Sequence, residues 1–497
     1  FNPEVVTMFW EVVLILMMVL LYLILKDRKP PNMPPGPLEV PFLGQPPILR
    51  VKSIEKLWHK YGDIITVRTG RMRSVIINDY DVAKEVMARM EMSRRPSFFS
   101  ELSLDELKTG GLLGSNGAQW QHDRRFALRN LRNLGMGKSY MEEAINTEAK
   151  ALVEDLKLYK GEPIKFPDSF RTVALNIIWQ MVASRRYDLR SSEVDAIYAG
   201  TKEFQSQSIL IFLPMFLPIL NYLPKTVRNF LFKEYLFDDF IKNMKDLVNA
   251  AIEEHDKDVD VENPRDLIDE YIKAMKEQEG DKESLFRKGA LRQIINDLFG
   301  AGSDTVNNML KWIAFLLARY PQITKKLQQE IDDAVPRDQM VSLDHKPSLP
   351  YVEAFTIETL RYSSMIMMNV QRTTNNNTTI SSYFVPKGSF VIPCNYAIHH
   401  NPKYWDQPHT FNPDRFIDEN GTFQPPKKGF FAFGSGRRQC LGETLARMEL
   451  FLFTAAMIQN FDIKVPQGVT LSDSFEDRMG LRLPWDTTLI YETRAED

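Results

Sequence analysis

Near the C-terminal end, the stretch Phe433-Gly-Ser-Gly-Arg-Arg-Gln-Cys440-Leu-Gly442 sets a cysteine just ahead of a run, Glu443 to Gln459, with strong helical character. Leu445, Met448, Leu450, Phe451, Phe453 and Met457 lie there among good helix formers. A cysteine at a helix N-terminus feels unpaired backbone N–H groups and the positive end of the dipole. Both lower the thiol pKa toward the thiolate, the form that binds metal. Gly434, Gly436 and Gly442 carry no β-carbon, so the backbone can turn sharply and approach a flat ligand closely. Arg438, two residues from the sulfur, offers a planar donor fork suited to a carboxylate on that ligand.

Only two cysteines occur in the 497 residues. One thiolate is too few for a zinc site or an iron–sulfur cluster, but it suffices as the axial ligand of haem iron. The pattern Phe-x-x-Gly-x-Arg-x-Cys-x-Gly resembles the haem-binding loop of the cytochrome P450 family, and Phe433, Gly436, Arg438, Cys440 and Gly442 fill its fixed positions. A buried helix-capping cysteine in a Gly-rich turn is the plainer alternative.

Other segments resemble the family in its own order. Trp120 and Arg124 are four apart, on one helix face, and both can donate toward an anion. They resemble the Trp-x-x-x-Arg pair that holds a haem propionate, although ordinary helix packing also produces such pairs. Ala301-Gly302-Ser303-Asp304-Thr305 lies in a helical run from Leu291 to Tyr320 ended by Pro321. Small residues at 301 and 302 permit close approach of another surface. A mid-helix Thr305 can bond back to the Ala301 carbonyl and locally open the helix. The resemblance makes Asp304 and Thr305 the residues that deliver protons to iron-bound dioxygen, with Ala301 and Gly302 against the haem. Glu358 and Arg361 share a face, and the resemblance adds Arg415 to them in a buried network that supports the haem loop. Arg372 falls where relatives hold a propionate.

The substrate wall is the least legible part. By resemblance, Phe98, Leu112 and Leu113 belong to a loop over the substrate. Met365, Met368 and Val370 either line the pocket or pack in the core, and Leu481 matches a last substrate-facing turn.

Composition bounds the rest. A formal charge of −3 speaks against nucleic-acid binding, and 44% hydrophobic residues supply ample material for one large core. Val5 to Leu25 is an apolar run about long enough to span a bilayer, followed by Lys26, Arg28 and Lys29 and then by prolines. The expected layout is a membrane anchor with basic flank (1–29), a Pro-rich linker and start of the globular part (30–50), and a catalytic domain (51–497). Ile209 to Leu223, broken by Pro214 and Pro218, reads either as a buried helix connection or as a membrane-dipping entrance. Glu253 to Glu283 reads as a solvated charged surface, and His399-His400 as a surface turn.

The resemblance therefore implies a mainly α, single-domain fold with small β-sheets behind an N-terminal transmembrane helix, of the animal microsomal type that includes steroid- and drug-metabolising enzymes. It implies haem b, ligated by the Cys440 thiolate, and insertion of one oxygen atom from O2 into a lipophilic small molecule: a steroid, fatty acid, terpenoid or xenobiotic. Electrons would come from NADPH through NADPH–cytochrome P450 reductase, with cytochrome b5 as a further candidate partner, at the cytoplasmic face of the endoplasmic reticulum membrane. Arg129, Arg132, Lys138, Lys427, Lys428 and Arg447 form a candidate docking face. Two rival readings are a haem-thiolate isomerase or dehydratase acting on peroxides, and a non-catalytic haem sensor.

Overall fold

A computed structural model describes residues 3–495 apart from 27, 42, 46–49, 71, 136–138, 199–209 and 479. The main helices are α1 (Pro3–Lys26), α2 (Val51–Tyr61), α3 (Tyr80–Ala88), α4 (Gly117–Asn133), α5 (Ser139–Lys157), α6 (Ser169–Ala183), α7 (Glu234–Asp258), α8 (Leu267–Glu277), α9 (Lys288–Arg319), α10 (Pro321–Ala334), α11 (Pro350–Ser363) and α12 (Glu443–Asn460).

Helix α9, 32 residues long, is the axis of the molecule. It packs on α6, α7, α11 and α12. Leu310, Trp312, Ile313, Ala314 and Leu316 are wholly buried along it. It ends where Tyr320, pushed out of the helical region by the ring of Pro321, turns to φ −120°. Helices α6 and α12 are apolar on nearly every face, the pattern of a helix buried all round. These elements bury one large hydrophobic core, and two smaller clusters lie under the sheet.

Strands β1 (Ile64–Thr69) and β2 (Met72–Ile77) form the expected hairpin, with Ile64 opposite Ile77 and Thr69 opposite Met72. After β3 (Arg372–Thr373), the β4–β5 hairpin (Thr378–Ile380 and Tyr383–Val385) leads to β6 (Phe390–Pro393). Strand β2 pairs in parallel with β6, and β3 lies antiparallel on its other side, giving the order β1-β2-β6-β3. This sheet ties the N-terminal third of the chain to the segment leaving α11 and fixes Arg372 opposite Val391. Two further two-stranded sheets pair β7 (Phe461–Lys464) with β10 (Ile490–Thr493), and β8 (Glu476–Arg478) with β9 (Leu481–Leu483).

Helix α1 covers the apolar N-terminal run, and most of its described side chains, among them Phe9, Leu14 and Leu16, are exposed. Among the described residues no helix is long and apolar enough to cross a membrane. Several side chains of α1 lie outside the described ones.

Two surface expectations change. The charged stretch from Glu253 to Glu283 is solvated on one face only: Tyr271 is wholly buried, and buried His255 meets Asp266 at 2.8 Å. The cause is the amphipathic pattern of α8, whose apolar face packs on α6 and α4. Ile209 lies outside the described residues. In the rest of Ile209–Leu223, Ile211 is buried, whereas Ile219 and Tyr222 stand 73% and 90% exposed. A buried connection therefore describes only its start.

Candidate active site

The Cys440 loop is held by its own backbone. Gly434 N–H donates to the Phe431 carbonyl at 2.9 Å, and Cys440 N–H to that of Phe433 at 3.0 Å. Gly436 sits at φ +73°, and a β-carbon there would lie 2.0 Å from the Met87 carbonyl oxygen. Only glycine lets the loop pass the end of α3.

From behind, the loop leans on a buried histidine. His399 Nε2 accepts the Phe431 N–H at 2.8 Å, and Nδ1 pairs with Ser364 Oγ at 2.9 Å. Burial pushes His399 down to about 3 and His400 well below its usual value, so both rings are neutral. The expected surface turn is thus a buried support. Two adjacent histidines are polar in sequence, but packing closes over them.

Deeper still, Glu358 and Arg361 have fully buried side chains. Arg361 Nε and Nη2 donate to Glu358 at 2.7 and 2.8 Å, and Arg415 Nε does so at 3.1 Å. Arg361 also donates to the carbonyls of His399, Pro408 and Thr410. The network thereby holds the segment carrying His399, and through it the loop.

In front of Cys440 opens a cavity of about 310 Å³, within the range of small-molecule sites. One wall is Phe433, Arg438, Cys440, Gly442 and the first turns of α12; the other is α9, with Ala301, Gly302 and Thr305. Leu112, Leu113, Met365 and Val370 also line it. A β-carbon on Gly442 would meet nothing within 4 Å, so glycine leaves that face bare for a flat ligand. The Cys440 side chain is exposed, but to this cavity, with protein on its other sides. Burial consequently pushes its thiol above the usual value, opposed by the Gly442 N–H and by Arg124. The thiol therefore stands above its usual value in the chain alone, because desolvation disfavours the anion more than the Gly442 N–H and Arg124 favour it.

Arg95, Arg124 and Arg438 stand in the cavity wall, and Arg372, outside that wall, is close enough to repel Arg95 and Arg438. Arg438, stacked 3.7 Å over Trp120, donates to the carbonyls of Ser93 and Leu112 at 2.8 and 3.1 Å. Arg95 Nη1 donates to the Val370 and Gln371 carbonyls at 2.6 and 2.8 Å, and Arg124 Nη2 to that of Gln439 at 2.7 Å. Burial first, then mutual repulsion, pushes Arg438 down to about 8 and Arg372 to about 9, and lowers Arg95 as well. Trp120 Nε1 and Arg372 Nε are buried without a partner among the described residues. Clustered cations and orphaned donors fit a ligand that carries carboxylates.

On α9, Thr305 Oγ1 donates to the Ala301 carbonyl at 2.7 Å. The helix stays α-helical through it, so the expected local opening is absent. The space spared at Gly302 is taken by Ile178 of α6, 2.4 Å from where a β-carbon would stand. Asp304 is outside the cavity wall; burial raises it to about 6 against the pull of Arg171 and Lys311.

Three expected pocket residues lie elsewhere. Phe98 stacks on Phe99, Met368 packs against the cluster of Trp58 and Tyr396, and Leu481 bridges Ile366 through its backbone. Of the 365–370 stretch, Met365, Ile366, Asn369 and Val370 face the cavity, while Met367 and Met368 pack away from it in that cluster. The sequence reading missed Arg95, Asp297, Met309 and Glu449, all in the wall. Asp297 was within reach: it lies one turn before Ala301, hence on its face.

A family model described as Cytochrome P450 matches residues 34–490. Cytochrome P450 2L1 of Panulirus argus is 38% identical over 456 residues, which is 90% of this chain and 92% of that protein. Cytochrome P450 2J2 of Homo sapiens is 33% identical over 466 residues, 92% of this chain and 91% of that protein. Cytochrome P450 2B15 of Rattus norvegicus is 31% identical over 448 residues, 88% of each. A lone cavity-facing thiol, a bare glycine floor and a nest of carboxylate-seeking donors suit a thiolate-ligated haem, the group on which this family builds its monooxygenases, and with a match spanning nearly its whole length the chain belongs to the cytochrome P450 family.

Proposed function

We propose that the protein is a membrane-anchored monooxygenase that inserts one oxygen atom into a lipophilic small molecule, using electrons from NADPH passed on by a flavoprotein reductase. The observation that carries this reading is the cavity itself, with the Cys440 thiol on one wall and the Thr305 hydroxyl on the other, on walls mostly apolar. Cys440 would ligate haem through its sulfur, and Trp120, Arg124, Arg372 and Arg438 would hold its carboxylates. Bound haem supplies the activation of dioxygen.

The chain's own residues bind, orient and move protons. Leu112, Leu113, Met365 and Val370 exclude water and favour a lipophilic substrate. Thr305 spends its proton on the Ala301 carbonyl, which leaves its oxygen free to accept from a water in the cavity. Asp304, raised to about 6, can take up and release a proton near neutral pH. The Thr305 hydroxyl in the wall favours oxygen insertion over the peroxide-rearranging and sensor readings.

The exposed apolar surface of α1, together with Ile219, Tyr222 and Phe230, supports contact with the endoplasmic reticulum membrane. Arg129, Arg132 and Lys427 are exposed, as a docking face for the reductase requires, with cytochrome b5 as a second candidate partner. Lys138 lies outside the described residues. Lys428 and Arg447 are partly engaged by Asp81 and Glu443.

The test is turnover with NADPH, reductase and isotopically labelled dioxygen. One labelled atom per product molecule is expected. Product formed from a lipid hydroperoxide without NADPH, or no NADPH consumption with any ligand, would overturn the proposal.

A further inference from the structure

Phe431 stands at the head of the Cys440 loop, buried, with both of its backbone polar groups taken. Its carbonyl accepts the Gly434 N–H, and the Phe433 carbonyl accepts that of Cys440. Its own N–H is donated to His399 Nε2 at 2.8 Å. The other ring nitrogen, Nδ1, lies 2.9 Å from Ser364 Oγ, which in turn donates to the Arg361 carbonyl at 2.9 Å. A line of single hydrogen bonds therefore runs from the end of α11 to the loop that carries the sulfur.

The protons along this line fit one arrangement. A carbonyl only accepts and a backbone amide only donates, so the Ser364 hydroxyl proton points to Arg361 and the Phe431 proton points to the ring. His399 then carries its proton on Nδ1 and keeps the lone pair on Nε2, and burial holds the ring neutral, as this requires. The ring has little room to turn: Phe430 stacks on it at 5.5 Å, and Arg361 Nη1 donates to the His399 carbonyl at 2.8 Å. Ser364 sits at φ +40° and ψ 45°, the left-handed region, at the C-cap of α11. Glycine would take that conformation with less strain, but only a side chain with an oxygen completes the line.

We propose that His399 is a positioning residue for the metal-ligating sulfur: by taking the Phe431 N–H it sets where the loop holds Cys440, and so how firmly the thiolate stays on the iron. This rests on the reading of the cavity as the haem site. Without the acceptor the Phe431 amide is left buried and unpaired, so the loop relaxes toward another partner and carries the sulfur with it.

The experiment compares wild type, H399F, H399Q and S364G in the full-length, haem-loaded protein. Phenylalanine keeps a flat ring and removes both nitrogens, whereas glutamine returns an oxygen able to accept the Phe431 N–H. S364G eases the backbone and deletes the hydroxyl, so it weakens the line even where H399F folds poorly. Two readouts are taken: amide hydrogen exchange at Phe431, and the rate at which the red-shifted ferrous–CO band of thiolate ligation decays in dilute urea while tryptophan fluorescence reports folded protein. In H399F, exchange at Phe431 should be faster by about tenfold or more, the scale of one lost hydrogen bond, and the band should decay faster by a similar factor. H399Q should recover most of both, and S364G should lie between wild type and H399F. Unchanged exchange in H399F and S364G would overturn the line of hydrogen bonds. Faster exchange with unchanged decay would reduce His399 to a stabilising role and overturn the proposal, as would an H399Q no better than H399F. If wild type itself shows no such band, the reading of the cavity has failed, and the exchange result still judges the line.

Discussion

Replacing Glu358 by glutamine removes one negative charge from a place that water does not reach. Its side chain and that of Arg361 are wholly buried, and the Arg415 side chain is 10% exposed. The carboxylate accepts four hydrogen bonds from three sources: the two-pronged Arg361 pair, Arg415 Nε, and the Asn412 N–H at 2.9 Å. A glutamine oxygen can keep part of this, but its NH2 must face a guanidinium, donor against donor. Removing one partner of a buried ion pair costs about 3–5 kcal/mol. Arg361 retains its three carbonyl acceptors, which places E358Q near the lower end, about 3 kcal/mol. Urea unfolding of the haem-loaded protein, followed by the Soret band and by tryptophan fluorescence, measures it. A change under about 1 kcal/mol would refute the argument. A second arm separates the ion pair from its surroundings. Buried pairs exchanged for apolar residues often recover stability, but E358L/R361M would leave the carbonyls of His399, Pro408 and Thr410 unpaired. The double variant should be no more stable than E358Q; full recovery would mean that Arg361 does not tie down the segment behind the loop.

Gly436→Ala should cost about 2 kcal/mol or more and reduce haem retention, because it adds a clash with the Met87 carbonyl to a positive φ; Gly468→Ala, with φ +80° but open space around it, should cost about 1 kcal/mol or less in the same unfolding assay. Thr305→Val keeps the shape and deletes the hydroxyl. Product formed per NADPH should fall by about tenfold or more while NADPH is still consumed, and an unchanged ratio would remove Thr305 from proton handling. Burial raises Asp297 from 3.8 to about 6. The folded state therefore keeps a proton that the unfolded chain has lost, and stability falls as pH rises through that window, by roughly 1 kcal/mol between about pH 5 and pH 7. D297N should lack this slope, and parallel pH profiles for the two proteins would contradict it.

The periodic helices and the β1–β2 hairpin were legible because local pattern decides them: Pro321 ends α9, and alternating Ile and Val make the hairpin. Cys440, Arg438, Ala301 and Thr305 were legible as a group because their spacing in sequence matches a recurring pattern, and the structure brings all four to one cavity. What escaped depends on contacts between distant segments. His399 looks solvent-facing until the Phe431 N–H, 32 residues away, lands on its ring. Arg95 gains its meaning only from carbonyls 275 and 276 residues on. Gly302 spares room for Ile178 of a neighbouring helix, a partner that spacing cannot name. The Cys440 thiol shows the same limit in electrostatics: the helix terminus is visible in sequence, and the desolvation that raises the thiol belongs to the folded cavity.

The central claim is that Cys440 presents its sulfur to the iron of a bound haem. The absorption spectrum of the purified, dithionite-reduced protein with carbon monoxide tests it directly. The strongly red-shifted Soret band of a thiolate-ligated ferrous–CO haem is predicted for wild type, and its loss in C440A. Haem without that band, or a band that survives in C440A, would contradict the account.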